Sequence, residues 1–197
     1  MQPSRALELR PGEVALFGYG SLLWRPSFER TYGRPYTRQT EVAYLSGFRR
    51  VWDALLPNRT FYFRSGPGER CYPEHIVYLN VRPAKAAMNG LLYVITRQDL
   101  SGFDEREVTY DRFDVGPLIR GVTVTGGPVY VYASKPTYVA EEKWPRERAA
   151  IRQTYLDIVE SGLEDLGAEF RTAYEASTDQ AMPMNIITDE RDEQPVR

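Results

Sequence analysis

Two short runs in this chain gather groups that can do chemistry. The first is Glu13-Val-Ala-Leu-Phe-Gly-Tyr-Gly-Ser-Leu-Leu-Trp24, where an apolar run, Val14 to Phe17, breaks at Gly18-Tyr19-Gly20-Ser21 and resumes with Leu22. Two glycines around one tyrosine let the backbone turn sharply and approach a ligand with no Cβ in the way. Successive N–H groups in such a turn point into one concavity, which holds a carboxylate or a developing oxyanion. The second run is Leu100-Ser-Gly-Phe-Asp-Glu-Arg-Glu-Val-Thr-Tyr-Asp-Arg112. On a helix, Phe103 and Glu107 share one face at spacing four, so a core anchor at Phe103 turns Glu107 inward while Glu105 and Arg106 point elsewhere. The plainer reading of the same run is a solvated face held by pairs such as Asp104 with Arg106 or Arg112.

Rival chemistries lack their residues. A dinucleotide fingerprint needs a third glycine or alanine at position 23, but Leu23 and Trp24 crowd that place and Pro26 argues against an immediate helix. No lysine precedes a serine or threonine, as a phosphate-binding loop requires. His75 is the only histidine and Cys71 the only cysteine, so a nucleophilic triad would have to use His75 and a Cys/His zinc site lacks ligands. Both read as ordinary loop residues. The expected chemistry runs on carboxylates, tyrosines and backbone amides, with no metal and no cofactor.

The elements that must position these groups follow from the pattern of apolar residues. Pro11-Gly12 reads as a turn before a first strand, Val14 to Phe17. A second strand is expected over Thr40 to Ser46, ended by Gly47, with Phe48 to Leu56 as its continuation or an irregular segment. His75 to Val81 and Leu91 to Thr96 read as a third and a fourth strand. A short helix is expected within Arg97 to Val108, then a hairpin of Ile119 to Thr125 with Val129 to Ala133 around Gly126-Gly127. Pro145 suits the first turn of a helix whose stripe runs from Ala149 through Tyr155 and Ile158 to about Gly162, and Leu166, Phe170 and Tyr174 extend it as a second helix.

Strands and helices do not alternate as parallel-sheet units, and the long helices come late. The expected class is therefore α+β: a small, mixed, strongly curved or closed β-barrel with flanking helices and its long helices C-terminal. The 197 residues, 42% of them apolar, form one expected domain over 1–180 followed by a polar tail over 181–197. A net charge of −2 leaves no electrostatic footprint for nucleic acid or an anionic membrane. No stretch reads as a spanning helix or signal segment, and a lone cysteine cannot form an internal disulfide, so a cytoplasmic address is expected.

Taken together, the motifs resemble the γ-glutamylcyclotransferase superfamily, its ChaC-type members above all. Phe17-Gly-Tyr-Gly-Ser-Leu-Leu-Trp-Arg-Pro26 resembles the superfamily's opening, Phe103-Asp-Glu-Arg-Glu107 its acidic second signature, and Pro136-Thr-Tyr138 a later Pro-x-Tyr element. The three stand in the family's order across Val14 to Leu163. The resemblance implies a small mixed β-barrel with flanking helices, and a reaction that turns a γ-glutamyl amide into 5-oxoproline and a free amine. It implies that Phe17, Gly18, Tyr19, Gly20, Ser21 and Leu22 hold the γ-glutamyl group, with Tyr110 and Tyr138 on the substrate side and Glu107 as acid/base. The partner implied is a small γ-glutamyl molecule. ChaC-type proteins follow the glutamate with Gly-Gly-Tyr, whereas Glu107 is followed by Val108-Thr109-Tyr110, which leaves the particular γ-glutamyl compound open. Glu105 is the alternative acid if the register slips by two. A non-catalytic binding module on the same fold, or γ-glutamyl transfer to an external amine, are the competing functions.

In that reaction the nucleophile is part of the substrate. The α-amine attacks the γ-carbonyl, and holding it in a ring-closing pose supplies up to roughly 7–11 kcal/mol. The amine titrates near ~8 and an ordinary glutamate near ~4.3, a mismatch worth roughly 5 kcal/mol. Burial beside Phe103 and tyrosines is expected to raise the Glu107 pKa and narrow that gap.

Overall fold

The computed structural model describes residues 5–140, 148–179, 185–187 and 190–191. Its strands are β1 (Arg5–Glu8), β2 (Glu13–Gly18), β3 (Glu41–Pro57), β4 (Phe61–Gly66), β5 (Glu69–Cys71), β6 (His75–Thr96) and β7 (Tyr110–Asp114). They continue with β8 (Ile119–Arg120), β9 (Val122–Thr125), β10 (Val129–Ser134), β11 (Ala149–Arg152), β12 (Asn185–Ile187) and β13 (Glu190–Arg191). The helices are α1 (Arg25–Tyr32), α2 (Leu100–Arg106) and α3 (Gln153–Ala176).

A mixed, strongly curved sheet runs β12-β11-β6-β2-β10-β7, and β3 lies along β6 and also pairs with β8. This is the α+β architecture expected from the order of elements. β2 sits between antiparallel β6 and parallel β10, which is why Val14, Ala15, Leu16 and Phe17 are all buried without alternation. β3 and β6 form one continuous ladder from Glu41↔Leu92 to Pro57↔His75, with irregularities at Ser46/Phe48 and Trp52/Ala54. Bulges bend and twist a long strand pair, and these two let the ladder curl instead of running flat.

Several expectations are corrected here. Gly47 does not end a strand; it lies inside β3 with left-handed φ (85°), at the irregularity where it alone stands opposite residues 84–86 of β6. The third and fourth strands are two halves of the single strand β6. Cys71 and His75 belong to strands and not to a loop. Pro26 does not prevent a helix but opens α1, where its missing N–H removes no helical bond. No hairpin forms at Gly126-Gly127: β9 pairs with β1 in parallel and β10 with β2 and β7. A Cβ on Gly126 would lie 2.1 Å from the Leu9 carbonyl oxygen, so these glycines let the β9–β10 connection run closely alongside the β1–β2 connection. Ala149 and Ile151 belong to β11, and the last helix begins at Gln153. The break in α3 falls at Gly167 (φ 83°, ψ 175°), which no side chain adopts easily, and Gly162 is interior. Pro145 lies outside the described residues. Within the segment read as a polar tail, β12 extends the sheet edge and buries Ile187.

The core carries an aromatic cluster between α1, α2 and the sheet. The Phe28 ring stacks on Tyr93 at 3.8 Å and meets Phe103 at 5.2 Å and Tyr36 at 5.1 Å. Phe103 is fully buried, so it is the anchor that orients α2 and the residue that follows its end, Glu107. Among the described residues, no helix is long and apolar enough to cross a membrane.

Candidate active site

The end of β2 runs into a 3₁₀ turn at Ser21–Leu23, and the chain between them is held from behind. The Tyr19 carbonyl accepts from Arg50 Nε (3.0 Å), the Gly20 carbonyl from the Leu23 N–H (2.9 Å), and the Leu22 carbonyl from the Tyr93 hydroxyl (2.7 Å). Carbonyl and N–H point opposite ways across a trans peptide, so engaging the Tyr19 and Gly20 carbonyls leaves the Gly20 and Ser21 N–H groups for the other side, while the Leu23 N–H is used within the turn. The opening N–H groups of a helical turn also have no carbonyl of their own to meet. Phe17, Tyr19, Gly20, Ser21 and Leu22 all line a cleft of about 1070 Å³.

Glu107 lines the same cleft. Its position follows from the spacing of four: it caps the C-terminus of α2, its N–H donating to the carbonyl of buried Phe103 at 2.8 Å. The Tyr110 N–H in turn donates to the Glu107 carbonyl at 2.8 Å. The side chain keeps 17% of its surface exposed, and burial raises its carboxyl above the ordinary range, opposed by Arg106. Burial pushes the hydroxyls of Tyr19, Tyr110 and Tyr155 upward, and the nearby Glu107 charge adds to the shift of each. Glu105 also lines the cleft but is exposed to solvent.

Arg106 corrects the sequence expectation, since it does not point away. Its Nη2 donates to Ser21 Oγ (2.7 Å), its Nη1 to Thr31 Oγ1 (2.7 Å) and the Ser27 carbonyl (3.2 Å), and its Nε lies 3.2 Å from Glu107 Oε1. One guanidinium thus ties the turn, α1 and the carboxylate together. Asp104 pairs with Arg112 (2.5 Å) and accepts from the Tyr132 hydroxyl (2.6 Å).

The other named residues divide. Tyr110 lines the cleft and donates its hydroxyl to the Leu79 carbonyl at 3.0 Å. The Tyr19 hydroxyl is spent on the Tyr132 carbonyl (2.9 Å), so Tyr19 serves as wall and anchor, not as a free donor. Gly18 is buried behind the turn, outside the lining. Tyr138 closes a 3₁₀ turn at Pro136–Tyr138 and does not line the cleft. Tyr155 of α3 stands nearer: its hydroxyl lies 3.0 Å from where a Cβ on Gly20 would be. Sequence reasoning counted Tyr155 only as one position of an apolar stripe. A hydroxyl-bearing residue within such a stripe was the available signal. Tyr78 and Arg152 complete the far arm of the cleft, Arg152 Nη1 lying 3.5 Å from the Tyr78 hydroxyl.

No protein-family model matches the sequence, and no curated protein does. Among solved structures, the chain is similar to YkqA from Bacillus subtilis, at 18% identity and TM-score 0.58 over 83% of this chain and 53% of that one. The chain therefore spans about half the length of YkqA, and the likeness shows a common fold. It is also similar to a gamma-glutamyl cyclotransferase (15% identity, TM-score 0.47, 88% of this chain and 93% of that one). A third is a yeast gamma-glutamyl cyclotransferase specific to glutathione (13% identity, TM-score 0.45, 84% and 96%).

Proposed function

We propose that the protein is a γ-glutamylcyclotransferase, with Glu107 as its acid/base group and the Tyr19–Leu22 turn as its anion cradle. One observation carries the reading: a sheltered carboxyl, raised by burial, lines the same cleft as a glycine turn whose Tyr19 and Leu22 carbonyls are engaged behind it. Glu107 takes a proton from the substrate's α-ammonium group. The amine nitrogen then bonds to the γ-carbon, and the carbonyl π electrons move onto oxygen, where backbone N–H groups of the turn stabilise them. Glu107 hands its proton to the leaving nitrogen and takes the second proton from the ring nitrogen, as collapse re-forms the carbonyl and breaks the γ-amide C–N bond. The released amine takes that second proton, so 5-oxoproline and an ammonium result and Glu107 is again a carboxylate.

A carboxyl raised by burial, in the cleft it shares with the turn, favours acid/base work over a purely binding module. A panel of γ-glutamyl amino acids, amines and peptides, scored by mass spectrometry for 5-oxoproline, tests the reading. Release from any member supports it; silence from the folded protein across the panel counts against it.

Ionisation of Glu107 gives a second expected result. The base form must be present, so kcat/KM rises with pH through the Glu107 pKa of the free protein. Arg106 holds that pKa down against burial. Arg106→Gln is expected to move this acid limb to higher pH, read from kcat/KM profiles of the two proteins. An unmoved limb would remove Arg106 from control of the carboxyl.

A further inference from the structure

Arg50 of β3 has no exposed surface, and among the described residues it forms no ion pair. Its guanidinium spends its donors on neutral acceptors. Nε meets the Tyr19 carbonyl (3.0 Å), Nη1 meets Ser177 Oγ (2.8 Å), Thr178 Oγ1 (3.3 Å) and the Tyr174 carbonyl (3.4 Å), and Nη2 meets Asn89 Oδ1 (2.8 Å) and the Asn89 carbonyl. The plane also stacks on the Tyr174 ring at 4.0 Å. Burial pushes its pKa down to about 10, which still leaves it charged at neutral pH. A buried charge without a counter-ion is costly, and an apolar residue of similar volume serves stability as well or better. The carbonyl end of α3 offsets part of that cost. Of the other contacts, the two with Asn89 tie the guanidinium to β6, and the one with Tyr19 belongs to the cleft.

The Tyr19 carbonyl is one end of the Tyr19–Gly20 peptide, and the Gly20 N–H is the other, pointing away from the guanidinium. Gly20 lines the cleft. A cation bonded to the carbonyl draws electron density through the amide and makes its N–H a stronger donor. We propose that Arg50 is a positioning residue for the cyclisation: through the Tyr19 carbonyl it fixes and polarises the Tyr19–Gly20 peptide, so that the Gly20 N–H meets the oxyanion. This rests on the cyclotransferase reading, and it assigns the uncompensated charge of the core a role at the reacting atoms.

The test compares a γ-glutamyl amide with its γ-thioamide, whose sulfur is a weak hydrogen-bond acceptor, in the wild type, Arg50→Lys and Thr178→Asp. Arg50→Lys keeps a cation but not the planar fork that spans Tyr19, Asn89 and Ser177. Its kcat for the amide is expected to fall about 10–100-fold, somewhat less than the loss of a whole oxyanion donor, with KM within about twofold and a much smaller fall for the thioamide. Thr178→Asp covers a misfolded Arg50→Lys. Thr178 is half-buried, and a carboxylate there neutralises the guanidinium in place, with a smaller fall and the same bias toward the amide. Equal losses on both substrates, or none, would overturn the proposal by reducing Arg50 to a packing role. A wild type inert toward every γ-glutamyl amide would instead overturn the cyclotransferase reading. In that event the ¹⁵N-labelled protein decides the electrostatic part. The Gly20 amide proton is expected to move upfield in Thr178→Asp by more than those of Ser21 and Leu22, and an unmoved Gly20 resonance refutes the polarisation.

Discussion

Glu107→Gln is expected to lower kcat/KM about 10²–10⁴-fold for whichever γ-glutamyl compound the wild type cyclises, the range a positioned acid/base group contributes. The amide has the carboxyl's shape, can still meet Phe103's neighbours and lies within reach of Arg106, but it can neither take the ammonium proton nor return one. Stability is expected to move the other way. Burial raises the folded pKa of Glu107 above its unfolded value of ~4.3, so the folded state loses stability as pH rises through that raised pKa. The glutamine carries no such charge. At neutral pH its thermal midpoint should equal or exceed that of the wild type, and below about pH 4, where both side chains are neutral, the difference should vanish. Turnover and melting curves measured side by side separate this from damage to the fold, because damage lowers both. A variant that keeps its turnover would take Glu107 out of the mechanism and leave the exposed Glu105 as the carboxylate to test.

What the sequence makes legible divides along a physical line. Local rules carried the first strand, since a run buried on both faces reads as continuous apolar residues, and they carried Glu107, since spacing four from a core anchor is a property of any helical turn. They do not carry what depends on pairing. β6 looks like two strands because its middle, Arg82 to Ala87, leaves the core, although the pairing with β3 holds on both sides of it. The glycines at 126 and 127 look like a hairpin turn because a close approach of two backbones and a tight turn ask for the same residue. Arg50 shows the limit most clearly. In Gly47-Phe-Arg-Arg-Val51 it is indistinguishable from Arg49, yet Arg49 is partly exposed and pairs with Asp179 while Arg50 is wholly buried against the cradle. Tyr155 joins the cleft for a similar reason, since the break at Gly167 and the path of α3 over the turn are tertiary facts. Polar side chains drawn inward by long-range contacts leave no periodic trace.

Gly90→Ala is expected to cost about 3 kcal/mol or more, the upper end of what overpacking does to a filled core. The added methyl would lie 2.4 Å from Phe17 Cζ and 2.6 Å from the Gly18 carbonyl oxygen. Phe17 is buried and cannot swing into solvent, and the second contact is backbone, so relief requires the end of β2 to shift against β6. Gly66→Ala supplies the comparison, because a Cβ there meets nothing within 4 Å. It should fall within about 0.5 kcal/mol of the wild type, as surface substitutions do. Denaturant midpoints with unchanged slopes would assign the difference between the two alanines to packing, since both variants reduce unfolded-chain entropy alike. The same displacement reaches function. Gly18 is followed directly by the Tyr19–Gly20 peptide, and a shift there on the order of 1 Å is enough to cost about 10²-fold in rate. Folded Gly90→Ala should therefore lose turnover although position 90 does not line the cleft. Full activity in that folded variant would mean that the cradle is held by Arg50 and Tyr93 from behind, independently of how Phe17 is seated.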